Sequence, residues 1–343
     1  MLWNEVLHWR IQTTMKDYIP IITQFNENHM LIDNDSSKEL SISLFGECNM
    51  KCEFCIQNIR HSYKARDVDW DRVINNVETV FKNISRKRVT IVLYGGELFH
   101  DGIKDDTFNH YYDLLNRINQ LAAKYNKAVE YHIASNLVHS DTQRVIKLLQ
   151  TFNIDSLYCS FDFKQRFHSD KQLQKFLENI DTYSKHFKIV VGVTCTKANI
   201  DCLIEHKDPI ITVFDDLYSR FPIVFDYYHC NGSSYNDVTE DQLIDFFKYL
   251  YINYPNIATI QELIDSFHNG NGRCQCPASY IIDGVLINQC TDFNTTLKKY
   301  VFNKHCFVCQ YNKICVHRCP RIMSNYKMCH LKAIYQMIDN DQN

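Results

Sequence analysis

The sequence predicts an α/β protein whose main part is an open, partial (β/α)6 barrel, followed by a cysteine-rich C-terminal domain. From about residue 39 to residue 228, short runs rich in β-branched residues alternate with longer amphipathic stretches. This alternation is typical of successive βα units around a parallel sheet. We count six such units, fewer than the eight of a closed barrel. The sheet is therefore expected to stay open.

The predicted elements follow one another in regular order. Six strands are predicted at residues 40–45, 89–94, 129–134, 156–161, 189–194 and 223–228. Apolar residues at three-to-four spacing predict helices over residues 70–84, 106–125, 142–151 and 171–186, with two more at 239–253 and 260–268. Parallel-sheet folds carry their chemistry at the carboxyl ends of the strands, so we expect the functional residues there.

These elements divide the chain into five segments. With 343 residues, 45% of them hydrophobic, the chain is long enough to bury a large core. The segments are an N-terminal segment (1–38), the partial barrel (39–235), a helical linker (236–272), the cysteine-rich domain (273–330) and a C-terminal helix or tail (331–343).

Charge and hydropathy exclude several classes of partner. The formal net charge is -3 and the Lys and Arg residues are scattered, so no basic stripe indicates nucleic acid. No apolar run approaches the roughly 18 residues of a membrane-spanning helix, and the N-terminus lacks the apolar core of a signal peptide. We expect a cytoplasmic protein without a membrane or nucleic-acid partner.

The 15 cysteines predict metal sites. In a chain without an export signal, a reducing cytosol keeps thiols available for metals or catalysis. Three cysteines fall within residues 48–55 and eight within residues 274–329. The remaining four are expected to be buried small hydrophobic residues; they are Cys159, Cys195, Cys202 and Cys230.

The first group of cysteines follows the first predicted strand on a loop. Cys48, Cys52 and Cys55 have C-x3-C-x2-C spacing. A 4Fe-4S cube has four irons, so three thiolates leave one iron open for a small molecule. The alternative is a zinc site with His61 as the fourth ligand, because structural zinc takes four protein ligands.

This motif, with the aromatic residue Phe54 just before the third cysteine, resembles the hallmark of the radical SAM superfamily. The resemblance implies that Cys48, Cys52 and Cys55 hold a 4Fe-4S cluster. It also implies that the open iron binds the amino and carboxylate groups of S-adenosyl-L-methionine (SAM), whose reductive cleavage yields a 5'-deoxyadenosyl radical.

A second motif, Gly95-Gly96-Glu97, follows the second predicted strand, where the superfamily has its next landmark. Two glycines let the backbone approach a ligand closely, and a carboxylate accepts hydrogen bonds from an ammonium group. The resemblance therefore implies that these residues contact the SAM ammonium group. Leu98 stands where the superfamily often has proline.

Further residues match the superfamily at the ends of the third and fourth strands. Ser135, Asn136 and Ser160 stand where ribose and carboxylate contacts are usual. The arginine that the superfamily has beyond the fourth strand is missing from its usual place. Arg166 or Lys171 is expected to contact the SAM carboxylate in its place.

The C-terminal cysteines form a second group with C-x2-C-x5-C-x3-C spacing at its centre. Eight thiolates are what two fully ligated cubes require, although a pair of zinc ribbons also uses eight. The spacing resembles the SPASM domain, which implies two auxiliary clusters with interleaved ligands. These would be Cys274, Cys276, Cys290 and Cys319 for the first cluster and Cys306, Cys309, Cys315 and Cys329 for the second.

One departure from the SPASM pattern affects the first auxiliary cluster. A single residue separates Cys274 from Cys276, and so tight a pair leaves open whether both sulfurs ligate one cube. If only one does, that cluster has an open iron that could bind substrate.

The two resemblances imply a radical SAM oxidoreductase that modifies a peptide or protein. The first hypothesis is maturation of a ribosomally made peptide by a thioether or carbon-carbon cross-link, with ferredoxin or flavodoxin as reductant. About 38 residues precede the first strand, too few for the separate leader-binding domain of many peptide maturases, so a partner protein is expected to bind the leader.

Three alternatives remain open at this point. The first is oxidation of a sulfatase side chain, with Asp292, two residues after Cys290, as base; exposed loop aspartates are common, so Asp292 has a simpler interpretation too. The second is a small-molecule dehydrogenase or epimerase. The third is a non-enzymatic zinc or electron-transfer protein.

Overall fold

The computed structural model describes residues 38–55, 62–227, 238–269, 279–287, 309–311 and 329–341. Within these ranges the chain forms one sheet of eight strands in the spatial order β6-β5-β4-β3-β2-β1-β7-β8. The strands are β1 (Lys38–Ser43), β2 (Arg88–Tyr94), β3 (Ala128–Ser135), β4 (Ser156–Ser160), β5 (Lys188–Cys195), β6 (Ile223–Tyr227), β7 (Ser279–Ile282) and β8 (Val285–Ile287).

Strands β1 to β6 confirm the six predicted strands and their order. Each pairs in parallel with the next, as in the register Ser43↔Tyr94 between β1 and β2. Because a parallel connection needs a crossover, a helix follows each of the first five strands. The result is the predicted open α/β sheet of six βα units, with a parallel neighbour, β7, on the far side of β1.

Ten α-helices lie in the described ranges, and a short 3-10 helix (Ala65–Asp67) precedes the first of them. The α-helices are α1 (Trp70–Asn83), α2 (Asp105–Lys124), α3 (Thr142–Thr151), α4 (Phe163–Arg166), α5 (Asp170–Tyr183), α6 (Lys197–Glu205), α7 (Ile210–Arg220), α8 (Glu240–Asn253), α9 (Ala258–Asn269) and α10 (His330–Asn340).

Side-chain caps account for several of the helix starts. Asp69, Asp141 and Ser169 each accept a hydrogen bond from the backbone N–H three residues later, at the beginning of α1, α3 and α5. Thr239 and Gln242 form a capping box at the beginning of α8. Such caps satisfy amides that otherwise lack partners in the first helical turn, and they place the observed starts within two residues of the predicted ones.

Two faces of the sheet have different environments. Along β2, Val89, Ile91 and Leu93 are buried in the core, whereas Thr90 and Val92 between them are half-buried on the opposite face. Burial of an aliphatic side chain of this size contributes about 1.5–3 kcal/mol. The buried face therefore stabilises the fold more than the opposite face does.

Strands β7 and β8 form a hairpin that was outside the six predicted strands. They pair antiparallel, and Asp283 and Gly284 between them both have positive φ angles of 50° and 70°. Such turns match the twist of a hairpin and favour glycine. The carbonyl of Gly284 accepts a hydrogen bond of 2.6 Å from Asn76 of α1, which fastens the hairpin to the barrel.

The C-terminal helix α10 packs on α8 and α9. Tyr335 is buried and its hydroxyl lies 2.8 Å from Ser266 Oγ, while His330 lies 5.1 Å from the ring of Phe247. In the part of the chain that the structure describes, no helix combines the length and the apolarity that crossing a membrane requires.

The structure also decides the surroundings of the isolated cysteines. Cys159 and Cys195 are buried in β4 and β5, as predicted, whereas Cys202 on α6 is only partly buried. Its neighbour Leu203 on the same helix is fully buried, so Cys202 lies at the border of the buried helix face. Cys230 lies outside the described residues.

Candidate active site

The loop that carries the first three cysteines begins where β1 ends. Gly46 and Glu47 donate backbone hydrogen bonds of 3.0 and 3.2 Å to the carbonyl of Tyr63, so the chain on either side of the cysteines is joined. Met50, Cys52 and Phe54 point into the core, while Cys48 and Cys55 are partly buried. The loop is thus held at the carboxyl end of the strand, as predicted.

The three cysteines are thiols in a partly apolar setting. Burial raises the pKa of Cys48 to about 12 and also raises the pKa of Cys52. Nucleophilic cysteines need a lowered pKa, so these thiols are poorly suited to nucleophilic catalysis. A metal ion lowers the pKa of its thiol ligands and displaces their protons, which makes metal binding the chemistry that suits them.

Hydrogen-bond donors surround the sulfur of Cys48. Its Sγ accepts from the backbone N–H of Met50 at 3.3 Å and from Asn136 Nδ2 at 3.9 Å. Like charge from Cys52 and Cys55 contributes to the raised pKa of Cys48, so the three sulfurs are electrostatic neighbours. Such a donor set fits an anionic iron-sulfur cube, whose thiolates accept hydrogen bonds from the protein.

The described residues show no compact site for a single ion. No three His, Cys, Asp or Glu side chains in these ranges are grouped closely enough to hold one metal ion. In a cube each thiolate binds a different iron, so its ligands are spread more widely than those of tetrahedral zinc. His61, the fourth ligand of the zinc alternative, lies outside the described residues.

The Gly95-Gly96-Glu97 turn presses against this loop. Gly96 donates to the carbonyl of Phe45 at 2.7 Å, and Glu97 donates to the carbonyl of Glu47 at 2.8 Å. A Cβ atom on Gly96 would lie 2.1 Å from the carbonyl oxygen of Glu47. The glycine therefore permits close approach of two segments of the chain, in addition to the predicted approach of a ligand.

Glu97 is 1% exposed and the chain supplies donors to both of its carboxylate oxygens. Oε1 accepts from Ser135 Oγ at 2.8 Å and from the N–H of Phe99 at 3.0 Å, and Oε2 accepts from the N–H of Asn136. Burial raises the pKa of Glu97, and these hydrogen bonds oppose that rise. Glu97 thus joins the end of β2 to the end of β3.

The loop after β3 is joined to the cysteine loop by two asparagines. Asn136 Nδ2 donates to Asn49 Oδ1 at 2.8 Å, and Asn49 Nδ2 donates to the carbonyl of Val138 at 2.6 Å. Leu137, which lies between Asn136 and Val138 in the chain, is buried and has a φ of 55°. A leucine adopts this backbone conformation only when its surroundings impose it.

Asn179 on α5 holds the same loop, the one after β3, by two hydrogen bonds. Its Nδ2 donates to the carbonyls of Leu137 at 2.7 Å and His139 at 2.8 Å. The ring of His139 is buried, with its Nε2 2.7 Å from the hydroxyl of Tyr183. The strained backbone after β3 is therefore held by helix side chains.

Beyond β4 the structure brings a buried ion pair to the cysteine loop. Asp162 is fully buried, and its Oδ2 lies 2.6 Å from Nη2 and 2.8 Å from Nε of Arg166, whose side chain is 13% exposed. The guanidinium carbon lies 5.7 Å from the centre of the Phe54 ring, within cation-π range. Lys171, the alternative cation, is exposed on α5.

The backbone of Thr194 donates to Asp162 Oδ1 at 2.7 Å, and Asn199 Nδ2 donates to the same oxygen at 3.2 Å. The carboxylate is therefore fixed by β5 and α6 as well as by Arg166. Ser160, the other predicted contact here, ends β4 half-buried and pairs with Gly192.

A tyrosine and an aspartate that sequence patterns did not single out meet across β5. The hydroxyl of Tyr158 donates to Asp226 Oδ2, 68 positions further along the chain. The tyrosine ring lies over Gly192, where a Cβ atom would be 2.3 Å from the hydroxyl oxygen. The single signal in the sequence was a glycine inside a strand, which often marks close approach.

The C-terminal cysteines fall mostly outside the described residues. Those outside are Cys274, Cys276, Cys290, Cys306, Cys315 and Cys319, together with Asp292. Cys329 directly precedes α10. Cys309 lies two residues before Tyr311, and the ring of Tyr311 packs 5.4 Å from the ring of Tyr335 in α10.

Among the comparisons with known proteins, the one with solved structures finds matches to the fold. No family model and no curated protein matches the sequence. Solved structures of anSMEcpe, an anaerobic sulfatase-maturating enzyme of the radical SAM and SPASM type, do match. One with bound AdoMet has a TM-score of 0.62 at 14% identity and covers 89% of this chain and 96% of that one.

Two further structures of the same enzyme carry a peptide as well as AdoMet. The structure with the Kp18Cys peptide has a TM-score of 0.62 at 14% identity, covering 88% of this chain and 96% of that one. The structure with the Cp18Cys peptide has a TM-score of 0.59 at 14% identity, covering 88% and 94%. This chain therefore shares the fold of that enzyme.

Proposed function

We propose that this chain is a radical SAM oxidoreductase that modifies a ribosomally made peptide. The observation that carries the proposal is the C-x3-C-x2-C loop at the carboxyl end of β1, which is interlocked with the Gly95-Gly96-Glu97 turn and the Asn136 loop. The fold shared with AdoMet-bound structures supports it.

Cys48, Cys52 and Cys55 would hold a 4Fe-4S cluster with one open iron. When bound, that cluster supplies the electron that cleaves SAM and releases the 5'-deoxyadenosyl radical. The chain contributes the surroundings: Met50 N–H and Asn136 Nδ2 donate toward the sulfur of Cys48. Buried Phe54 and Met50 keep water from the inner side of the loop.

The residues proposed to bind SAM lie at the ends of three neighbouring strands. The turn after β2 would take the ammonium group, with Glu97 exchanging one of its present hydrogen bonds. The remaining proposed contacts come from the ends of β3 and β4 and from the cysteine loop; the full set is Phe54, Gly95, Gly96, Glu97, Ser135, Asn136 and Ser160.

Arg166, rather than Lys171, is proposed to take the SAM carboxylate. Arg166 contacts Asp162 through Nε and Nη2. Its third nitrogen, Nη1, has no hydrogen-bond partner among the described residues. A guanidinium with a donor edge still open can bind a second carboxylate. Its position over Phe54 puts that edge beside the cysteine loop.

The C-terminal cysteines are proposed to bind two auxiliary 4Fe-4S clusters, in the two sets of four given above. These clusters would accept an electron from the substrate. If Cys274 and Cys276 do not both bind the first auxiliary cluster, its open iron could bind the substrate instead. A reductant such as ferredoxin or flavodoxin and a separate leader-binding protein complete the proposed partners, and the product would carry a thioether or carbon-carbon link.

Formation of 5'-deoxyadenosine tests this proposal. Reconstituted protein incubated anaerobically with SAM and dithionite should release 5'-deoxyadenosine, and Cys52→Ala should reduce that release at least about 100-fold because one iron loses its ligand. Cys202→Ala is the matched control, since Cys202 lies on α6 away from the loop, and it should retain activity. Equal release from wild type and Cys52→Ala would contradict the proposal.

A second candidate, oxidation of a peptide side chain with Asp292 as base, is suggested by the fold shared with anSMEcpe. Its test uses the Kp18Cys and Cp18Cys peptides as probes. Asp292→Asn should abolish their oxidation, as followed by mass spectrometry, while release of 5'-deoxyadenosine continues. Equal oxidation by both proteins would exclude a role of Asp292 as base.

A further inference from the structure

We propose that the Arg166–Asp162 pair sets the reduction potential of the cluster held by Cys48, Cys52 and Cys55, with the guanidinium as the buried positive charge that stabilises the added electron. This inference rests on the proposed function. It makes Arg166 a positioning and tuning residue for electron uptake, in addition to its proposed contact with SAM.

The geometry puts the positive end of the pair toward the cysteines. The guanidinium lies over the ring of Phe54, which separates Cys52 from Cys55 in the chain. Asp162, which holds the guanidinium, is anchored by the backbone of Thr194 in β5 and by Asn199 in α6. Because the aspartate is fixed by two elements, the guanidinium that it holds is fixed as well.

The positive charge of the pair is the one beside the cysteine loop. The guanidinium carbon of Arg166 lies 5.7 Å from the ring centre of Phe54, a residue of that loop. The negative charge of Asp162 is shared among donors from Thr194 and Asn199 as well as Arg166. The pair therefore presents its positive end to the cysteine loop.

The sign of the effect on reduction follows from charge. A cube with three thiolates is already anionic when oxidised. Reduction adds one electron from an external reductant such as ferredoxin or flavodoxin, breaks no bond and moves no proton at Arg166. A buried cation nearby stabilises the more negative state, so its removal should make the cluster harder to reduce.

The experiment is an anaerobic redox titration of reconstituted full-length protein without SAM, followed by electron paramagnetic resonance. The same titration on a Cys48→Ala, Cys52→Ala, Cys55→Ala triple variant gives the signals of any other clusters, which are subtracted. Arg166→Gln should lower the equilibrium constant for reduction at least tenfold, equivalent to a shift of about 59 mV for one electron.

Three variants control for other causes. Lys175→Gln removes a partly exposed cation on α5, which pairs with Glu178 at 2.9 Å, and should leave the potential unchanged because water and its own counter-ion screen its charge. Arg166→Lys keeps the charge and should stay closer to wild type than Arg166→Gln. Asp162→Asn combined with Arg166→Gln removes both charges and should fall between Arg166→Gln and wild type; it also avoids an unpaired buried carboxylate if Arg166→Gln alone does not fold.

The outcomes separate the two proposals. If the wild-type titration shows no signal beyond that of the triple variant, the proposed function itself fails. If that signal is present and neither Arg166→Gln nor the double variant changes its potential more than Lys175→Gln does, the tuning role of Arg166 is overturned.

Discussion

Buried polar side chains organise this site, and residues distant in the chain supply many of their hydrogen bonds. An unpaired carboxylate in a protein interior is costly, yet Glu97 is buried with three donors from Ser135, Asn136 and Phe99. Asp162 is likewise surrounded by Thr194, Arg166 and Asn199. These residues hold the loops in one arrangement because any other arrangement would leave them unpaired.

His139 makes stability depend on pH. It is 2% exposed, and burial lowers its pKa from the ordinary 6.5 to about 4. The unfolded chain therefore binds a proton between these values and the folded chain does not, so stability is lost as pH falls from about 6.5 to 4. At 1.36 kcal/mol per pKa unit, the loss due to His139 is about 3 kcal/mol.

Urea unfolding at pH 7 and pH 4.5 measures this effect. In His139→Gln the titrating group is absent, while an amide can still bond the hydroxyl of Tyr183. We expect the difference in unfolding free energy between the two pH values to be smaller in the variant by about 2–3 kcal/mol. An unchanged difference would show that His139 is protonated equally in both states.

At the scale of elements, the site forms where the turns after β1, β2 and β3 meet. Backbone hydrogen bonds join the Gly95-Gly96-Glu97 turn to residues 45–47, and Asn49 joins the cysteine loop to the turn after β3. The strands stand side by side in parallel, so their carboxyl ends are close together before any of these contacts forms.

Gly96→Ala should separate two of these turns. The new Cβ would lie 2.1 Å from the carbonyl oxygen of Glu47 and 2.3 Å from that of Gly46, and backbone atoms cannot rotate away as a side chain can. We expect the free energy of unfolding to fall by about 2–3 kcal/mol, with reduced iron incorporation per chain.

Gly95→Ala is the matched control for that prediction. Its Cβ would lie 2.9 Å from the carbonyl oxygen of Phe45, a milder overlap, and its cost should be about 1 kcal/mol. Urea unfolding and iron analysis measure both variants. Equal stability of the two variants would contradict the close contact seen at Gly96.

At the scale of the whole molecule, the cysteine loop connects parts that are far apart in sequence. Strand β1, which leads into it, pairs with β2 on one side and with β7 on the other. A cluster bound to this loop would therefore increase the free energy of unfolding of the whole sheet, because a ligand that binds only the folded state stabilises that state as a unit.

Cluster removal should lower the melting temperature of the protein. Reconstituted wild type should melt about 5 °C or more above the Cys48→Ala, Cys52→Ala, Cys55→Ala triple variant treated in the same way, since about 2 kcal/mol corresponds to such a shift. Anaerobic calorimetry with iron analysis checks this. Identical melting temperatures for cluster-loaded wild type and the triple variant would contradict the coupling of loop and sheet.

Much of the fold follows from local patterns that the sequence displays. The six strands β1 to β6, helices α1, α2, α3 and α5, and helices α8 and α9 all lie within two or three residues of their predicted bounds. Alternation of apolar residues and capping side chains act over a few positions of the chain, and so they are legible without any knowledge of the tertiary structure.

Helices α6 and α7 and the hairpin of β7 and β8 were outside the predicted elements. The hairpin is short, and its place beside β1 depends on pairing between residues about 240 positions apart, such as Leu40↔Ser279. No local pattern specifies such a partner. All eight proposed ligands of the auxiliary clusters stay predictions, and so does the role of Asp292 as base. Apart from Cys309 and Cys329, these residues lie outside the described residues.

By itself the sequence determined the α/β class, the succession of strands and helices along the chain and the spacing of the cysteine motif, because each is a property of neighbouring residues. Only the tertiary structure decided that Glu97 is enclosed by donors from the end of β3, that Arg166 rather than Lys171 stands beside the cysteines, and that Asn49 meets Asn136. These contacts join residues 38 to 114 positions apart, and only the folding of the whole sheet brings them within hydrogen-bond or charge range.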